Sequence, residues 1–273
     1  MSDLKGTDLL FRRWDAAPAP GAPKAVLLLV HGLGAHSGRW DFWGDYFAAL
    51  GFMSYAVELR GFGRSPERPR GHVESFEVWT RDILALREMI GRDLPGRKVV
   101  LVGESMGGLV AYDVAARHPG RFDAVVLMAP AFKNGLKFPL STYAKIGLIP
   151  FAPKLMIDLP FTSEMATRDP DYAAVMNASP DELRQASIKL MAGFLPVQAR
   201  AGRLARRLEA PVLLMIPGID HLVDERGGYR IFRKIAAADK TLLEYPDNFH
   251  ALYIDLGREK VFADILDWMA KRV

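Results

Sequence analysis

The sequence predicts an α/β protein built around a mostly parallel sheet that helices cover on both faces. Three observations support this fold class. Short apolar runs recur along the 273 residues, helical patterns separate several of them, and the first run is an unbroken aliphatic stretch. Strands buried on both faces have this composition, and alternation of strand and helix is typical of a parallel sheet.

Six apolar runs are the candidate strands. The first is AVLLLV at 25–30, and the others lie at 52–59, 98–103, 124–130, 211–218 and 240–246. Three segments have apolar residues at helical spacing or a helical stop signal, and they are the candidate helices at 76–90, 109–117 and 258–271.

The alternation of strand and helix stops between residues 132 and 200. This stretch has no clear strand and contains seven prolines, which predicts short helices. Ser179 and Glu182 form a capping-box pattern, so one helix is expected to begin at Pro180 and to run to about residue 195. We therefore predict a helical cap at 132–200, inserted between two parts of the core at 1–131 and 201–273.

Composition and charge exclude several function classes. The net charge is +4, from 36 basic and 32 acidic residues, and the one dense arginine cluster, at 200–207, is interpreted as a solvated helix face. No nucleic-acid partner is therefore expected. The absence of cysteine excludes disulfides and thiolate chemistry, and no metal-ligand spacing is present, so no metal site is expected.

The N-terminal residues predict the location of the protein. MSDLKGTDLLFRRW lacks the basic start and apolar stretch of a signal peptide, and the longest apolar run near it is far too short to span a membrane. A cytoplasmic location is therefore expected. The sequence leaves the oligomeric state open.

The segment GESMGG at 103–108, between a candidate strand and a candidate helix, makes Ser105 a candidate nucleophile. A dinucleotide fingerprint requires glycine at 105, and a phosphate-binding P-loop requires lysine. G-x-S-x-G in this context matches the nucleophile elbow, whose serine has a strained backbone. Gly103 and Gly107 fit the elbow because a Cβ at either position would collide across the turn. A tight turn of small residues is the alternative.

A serine nucleophile needs a base and an acid, and where the serine lies on a nucleophile elbow they follow it along the chain in the order acid, then histidine. Three of the six histidines precede Ser105, one resembles a helix cap and one is close to the best acid, which leaves His250 in a loop after a strand. Asp220 follows the run at 211–218 and is the candidate acid, with Asp224 as its alternative. The alternative is that His250 is a solvent-exposed loop residue without a catalytic role.

Two backbone N–H groups are candidates for stabilising an oxyanion. Met106 begins the helix after Ser105, where N–H groups and the helix dipole favour negative charge. Leu33 lies in the HGLG loop after the first strand and supplies the second candidate. His31 is expected to have a structural role, through a hydrogen bond within that loop.

Several motifs together resemble those of a known family over nearly the whole chain. They are HGLGAHSGRW (31–40), RGFGRSPERPRGHVESFEVWTRD (60–82), GESMGG (103–108), PGIDHLVD (217–224) and YPDNFH (245–250). This set resembles the monoacylglycerol lipase and lysophospholipase branch of the α/β-hydrolases. Glu58, Phe62 and Glu104 depart from it, since the family often has Asp, His and His at these positions.

The resemblance implies an α/β-hydrolase fold, with a mostly parallel central sheet and an inserted cap. It implies Ser105 as nucleophile, Asp220 as acid, His250 as base, and Leu33 and Met106 as oxyanion donors. The implied activity is hydrolysis of monoacylglycerol or lysophospholipid-like esters through an acyl-enzyme, without a cofactor. A short-chain carboxylesterase, a small-peptide aminopeptidase and a non-catalytic binding protein of the same fold are the alternatives.

The cap sequence bears on the substrate. Residues 136–161 are mostly apolar, with Lys137, Lys145 and Lys154 at intervals, which suits a fatty acyl chain below and transient contact with a membrane surface above. Packing of these residues onto the core is the alternative. Four methionines are candidates for lining an acyl channel: Met156, Met165, Met176 and Met191.

Overall fold

The six predicted runs form six consecutive strands of an eight-stranded sheet. The computed structural model describes residues 1–3, 8–17 and 23–273. In chain order, the strands of this sheet are β1 (Ser2–Asp3), β2 (Leu10–Trp14), β3 (Val26–Val30), β4 (Met53–Val57), β5 (Val99–Glu104), β6 (Ala124–Met128), β9 (Val212–Pro217) and β10 (Lys240–Tyr245). Their spatial order is β1-β2-β4-β3-β5-β6-β9-β10. Every pairing from β4 to β10 is parallel, whereas β2 pairs antiparallel with both β1 and β4.

Helices cover both faces of the sheet, so the predicted α/β-hydrolase fold class is confirmed. The helices are α1 (Asp41–Ala49), α2 (Phe76–Asp93), α3 (Met106–Arg117), α4 (Leu140–Ile146), α5 (Pro170–Ala178), α6 (Ile188–Leu204), α7 (Arg226–Lys234) and α8 (Arg258–Met269). Successive side chains of a strand point to opposite faces. Accordingly, Leu28 of β3 packs into a core that includes α2 and α3, while Leu27 and Leu29 pack into a second core that includes α1 and α8.

The predicted cap, residues 132–200, lies between β6 and β9 and contains α4, α5 and most of α6. Two expectations about it are wrong. It contains a small antiparallel sheet of β7 (Met156–Asp158) and β8 (Gln185–Ser187). Helix α6 is long and runs through Pro196 to Leu204, so that proline does not shorten it. The division of the chain into domains stays a prediction.

The capping-box helix expected at Pro180 does not form. The hydroxyl of Ser179 accepts the N–H of Asp181 in a turn, and the carboxylate of Glu182 binds Arg39. Glu182 is therefore not available to cap a helix start. Helix α6 begins later, at Ile188, where the hydroxyl of Ser187 accepts the N–H of Leu190 at 3.1 Å.

The strand register brings separate loops to one edge of the sheet. Val30, the last residue of β3, pairs with Gly103 of β5, so the loop after β3 begins beside the turn after β5. Strands β9 and β10 are parallel neighbours that end together at Pro217 and Tyr245. In an open α/β sheet, residues that follow the carboxyl ends of the strands form the usual binding crevice.

Candidate active site

Ser105 lies in a sharp turn between β5 and α3, as the elbow prediction requires. Its backbone dihedrals are φ 57° and ψ −120°, and among the described residues only Ala129 shares a positive φ without being glycine. Backbone hydrogen bonds hold the turn, because the N–H of Ser105 donates to Met128 at 3.0 Å and its carbonyl accepts from Ala131 at 2.9 Å. Such a backbone costs about 1–3 kcal/mol and persists only where its surroundings enforce it.

The two elbow glycines are required by close backbone contacts. A Cβ on Gly103 would lie 2.4 Å from the carbonyl oxygen of Gly107, and a Cβ on Gly107 would lie 2.2 Å from that of Val30. Both distances are far below van der Waals contact, and the atoms in the way are backbone atoms that cannot rotate aside. The glycines therefore allow β3, β5 and α3 to approach one another at the serine.

His250 and Asp220 form a buried hydrogen-bonded pair. Asp220 follows β9, His250 follows β10, and Nδ1 of His250 lies 2.8 Å from Oδ2 of Asp220. The other oxygen of Asp220 accepts the N–H groups of Leu222 and Val223, both at 2.8 Å. These three hydrogen bonds fix the carboxylate and require the Nδ1 proton to lie on the side of Asp220.

Burial and the charge of the partner shift the pKa values of Asp220 and His250 in opposite directions. Burial favours the uncharged form of each group, but the ion-pair interaction and the hydrogen bond outweigh it. The pKa of Asp220 is consequently lowered from its usual 3.8, and the pKa of His250 is raised above its usual 6.5. Compared with free aspartate and histidine, the pair therefore favours the carboxylate and the imidazolium.

Asp224, the alternative acid, is bound elsewhere. Its carboxylate pairs with Lys133 at 2.7 Å and with Arg226. These interactions lower the pKa of Asp224, first through the hydrogen bond from Arg226 and then through that from Lys133. Asp220, and not Asp224, contacts His250.

The loop after β3 packs directly against the serine turn. A Cβ on Gly32 would lie 2.5 Å from Oε2 of Glu104 and 3.1 Å from Cβ of Ser105. Leu33 and Met106, the predicted oxyanion donors, line the same cavity as Ser105. Their roles in catalysis stay predictions.

His31 supports this loop and is neutral. Its Nδ1 donates to the carbonyl of Gly32 at 2.9 Å, and its Nε2 accepts the N–H of Leu59 at 3.2 Å. Burial lowers the pKa of His31 to about 4, so the ring is uncharged at neutral pH. The expected hydrogen bond within the loop is present, and a second one connects the loop to the segment after β4.

One cavity of about 250 Å³ contains the serine, the histidine and the loop. Ser105 and His250 both line it, but the structure gives no hydrogen bond between the serine hydroxyl and Nε2 of His250 among the described residues. The walls are mostly apolar and include Leu136, Phe138, Phe161, Met176, Met191 and Phe194. Of the four methionines predicted to line an acyl channel, Met176 and Met191 do so, and Met156 and Met165 are not among the lining residues.

Sequence reasoning missed one buried ion pair at the edge of this cavity. The guanidinium of Arg39 binds the carboxylate of Glu182 through two hydrogen bonds, one of them at 2.9 Å, and Arg39 also lines the cavity. Arg39 belongs to the motif HSGRW, but its partner lies 143 positions away in the cap. No local spacing could have indicated that pairing.

Comparison with known proteins identifies the family of this chain. The family model described as "Serine aminopeptidase, S33" (Hydrolase_4) matches residues 21–257. Human monoglyceride lipase is 31% identical over 275 residues, which cover 98% of this chain and 88% of the human protein. The chain belongs to the monoacylglycerol lipase-like branch of the α/β-hydrolases. The resemblance inferred from the motifs is thereby confirmed.

Other members of the branch are similar over the same length. A monoacylglycerol lipase of Mycolicibacterium smegmatis is 28% identical and covers 92% of this chain and 90% of that protein. The crystal structure of a monoacylglycerol lipase from Paleococcus ferrophilus has a TM-score of 0.87 at 28% identity, with 98% of this chain and 100% of that one covered. The similarity therefore includes the cap as well as the core.

Proposed function

We propose that this chain is a serine hydrolase that cleaves carboxylic esters of lipid-like substrates, such as monoacylglycerols or lysophospholipids, through an acyl-enzyme. One observation carries the proposal. A serine on a strained elbow opens into the same apolar cavity as a buried histidine, whose other nitrogen binds a carboxylate. The relatives in humans and Mycolicibacterium smegmatis are monoacylglycerol lipases, which agrees with it.

The proposed mechanism has two steps and needs no cofactor. The hydroxyl of Ser105 attacks the ester carbonyl while Nε2 of His250 takes its proton, and the backbone N–H groups of Leu33 and Met106 stabilise the oxyanion. The imidazolium then protonates the leaving alcohol, which departs and leaves the acyl-enzyme. Water attacks this ester, His250 takes a proton from it, and the fatty acid leaves as Ser105 recovers its proton. Asp220 holds the ring and stabilises its cation in both steps.

A fluorophosphonate probe tests the nucleophile directly. We expect labelling of the wild type and none of Ser105→Ala, with both proteins equally folded by circular dichroism. The absence of labelling in the folded wild type would support the non-catalytic binding protein.

The substrate class is tested by p-nitrophenyl esters of increasing acyl length. The apolar cavity favours long chains, so we expect kcat/KM to stay high beyond butyrate. A maximum at acetate with no activity on longer chains would favour the short-chain esterase. The family description also names aminopeptidases, and release of aniline from aminoacyl anilides would favour that alternative.

We further propose that the outer face of the cap contacts a membrane surface transiently. Leu140 and Phe151 are 85% and 87% exposed, and the exposed lysines Lys137, Lys145 and Lys154 lie near them along the chain. Apolar side chains with flanking lysines suit an anionic lipid interface. No helix among the described residues is long and apolar enough to span a bilayer.

Sedimentation with anionic vesicles tests the contact. We expect the wild type to bind and a Leu140→Ser, Phe151→Ser double variant to bind less, with unchanged hydrolysis of a short water-soluble ester. Equal binding of both proteins would contradict the contact. The cytoplasmic location expected from the sequence stays a prediction.

A further inference from the structure

Glu104, the residue before Ser105, lines the cavity but has no role in the proposed mechanism. Its side chain is 1% exposed, at the end of β5. Oε1 of Glu104 lies 3.3 Å from Nε2 of His250, the nitrogen that must accept the proton of Ser105. His250 is therefore placed between two carboxylates, Asp220 at Nδ1 and Glu104 at Nε2.

Both groups hold a buried polar atom without a hydrogen bond. Nε2 of His250, which faces Oε1 of Glu104, and the other carboxylate oxygen, Oε2 of Glu104, have no hydrogen-bond partner among the described residues. An ionised carboxylate without hydrogen bonds is costly to bury, so a nearby cation is what stabilises it. The imidazolium of His250 is such a cation, with Nε2 at 3.3 Å from Oε1 of Glu104.

We propose that Glu104 is a positioning residue that holds His250 from its Nε2 side and sets the pH range in which this histidine can act as a base. The inference rests on the proposed function of Ser105 and His250. While the imidazolium is paired with Glu104, Nε2 carries a proton and cannot accept one from Ser105. As pH rises, His250 loses that proton, the pairing ends, and Nε2 becomes free for the serine.

Other charged groups also lie near Glu104 and His250, and they change the strength of the interaction between these two residues. Burial raises the pKa of Glu104 above its usual 4.5, and the charge of His250 opposes this shift only in part. Four further titratable groups interact electrostatically with Glu104 or His250. They are Asp220 in the loop after β9, Arg39 in the turn before α1, Glu182 in the cap and Tyr253 in the segment after His250. Arg39 is largely committed to Glu182 through its two hydrogen bonds.

The test replaces the charge at position 104 and follows the pH dependence of kcat/KM. Glu104→Gln keeps the shape, and Glu104→Met removes both the charge and any hydrogen bond. Because an opposite charge within about 4–6 Å shifts a pKa by about 1 unit or more, we expect the acid limb of both variants to move to lower pH by about 1 unit. A purely structural role would lower activity at every pH and leave the limb in place.

Asp113→Asn is the matched control. Asp113 is also a buried carboxylate, on α3, but it pairs with Arg200 and Arg117 and does not face His250. Its removal should lower stability and leave the acid limb unchanged. The proposal is overturned if the limb stays in place in both folded Glu104 variants, or if it moves equally in Asp113→Asn.

A second readout separates this inference from the proposed function. The imidazole nitrogens of His250 are titrated by NMR, with and without Glu104→Gln, in the Ser105→Ala background, which requires no turnover. A lower pKa of His250 in the Glu104 variant supports the pairing even if no ester is hydrolysed. An unchanged pKa overturns it even if the wild type is an active esterase.

Discussion

Oδ2 of Asp220 lies 2.8 Å from Nδ1 of His250, although 30 positions separate the two residues along the chain. We predict that Asp220→Asn lowers kcat by about 10⁴-fold, as loss of the orienting carboxylate does in serine proteases, because the ring loses its tautomer and the stabilisation of its cation. Ester hydrolysis measured at saturating substrate checks this. Asp224→Asn is the matched control, since that carboxylate pairs with Lys133 and Arg226, and it should retain nearly full kcat.

Gly32→Ala should damage the oxyanion site with little effect on the fold. The added Cβ would meet Glu104 and Cβ of Ser105, so the loop that carries Leu33 must move away from the serine. A displacement of about 1 Å at a reacting centre can cost about 10²-fold in rate, and we expect a loss of kcat of that order. Gly91→Ala is the control, because its Cβ would meet only the flexible end of Arg87. If Gly32→Ala keeps wild-type kcat, the proposed role of the loop is wrong.

The pH dependence of hydrolysis should have an acid limb above pH 6.5. The pKa of His250 is raised because Asp220, and then Glu104, outweigh the opposing effect of burial. A raised pKa means that the base stays protonated, and therefore inactive, up to a higher pH than free histidine. The rate kcat/KM should fall as pH decreases through that value. A limb below pH 6 would contradict the raised pKa of His250, and a profile flat to about pH 4 would be inconsistent with His250 as the base.

The ion pair between Arg39 and Glu182 should contribute to the stability of the folded chain. Both side chains are about 95% buried, so Arg39→Met leaves the carboxylate of Glu182 buried without its main partner. Breaking a buried pair from one side costs about 3–5 kcal/mol, which urea unfolding can measure. Arg64→Met is the control, because Arg64 is 63% exposed and pairs with Asp181 of the same cap loop. Its loss should cost at most about 1 kcal/mol.

The central part of the fold could be predicted because its physical signal is local. A strand buried on both faces must be apolar throughout, and the runs that became β3, β5, β6 and β9 are apolar at nearly every position. The elbow could also be predicted from a local pattern. Its close backbone contacts require glycine at positions 103 and 107, which lie two residues from Ser105. The sequence favours Asp220 over Asp224 as the acid, and in the structure it is Asp220 that contacts His250.

The remaining features depend on contacts that no local pattern encodes. Strand β2, with the sequence LFRRW, pairs antiparallel with β4. It was not predicted, because its two arginines interrupt the apolar pattern. The segment at 179–182 has the residues of a helix start, but the pairing of Glu182 with Arg39 determines its conformation. The sequence places Glu104 beside the serine, but only the structure shows that its carboxylate faces Nε2 of His250.

The strained backbone of Ser105 has a consequence for engineering. Glycine adopts a positive φ without steric cost, so Ser105→Gly should unfold at a higher temperature than the wild type while losing its reactivity. A selection for heat resistance alone would then enrich inactive sequences at this position. Directed evolution of a more robust catalyst from this chain must therefore score turnover and thermal survival together.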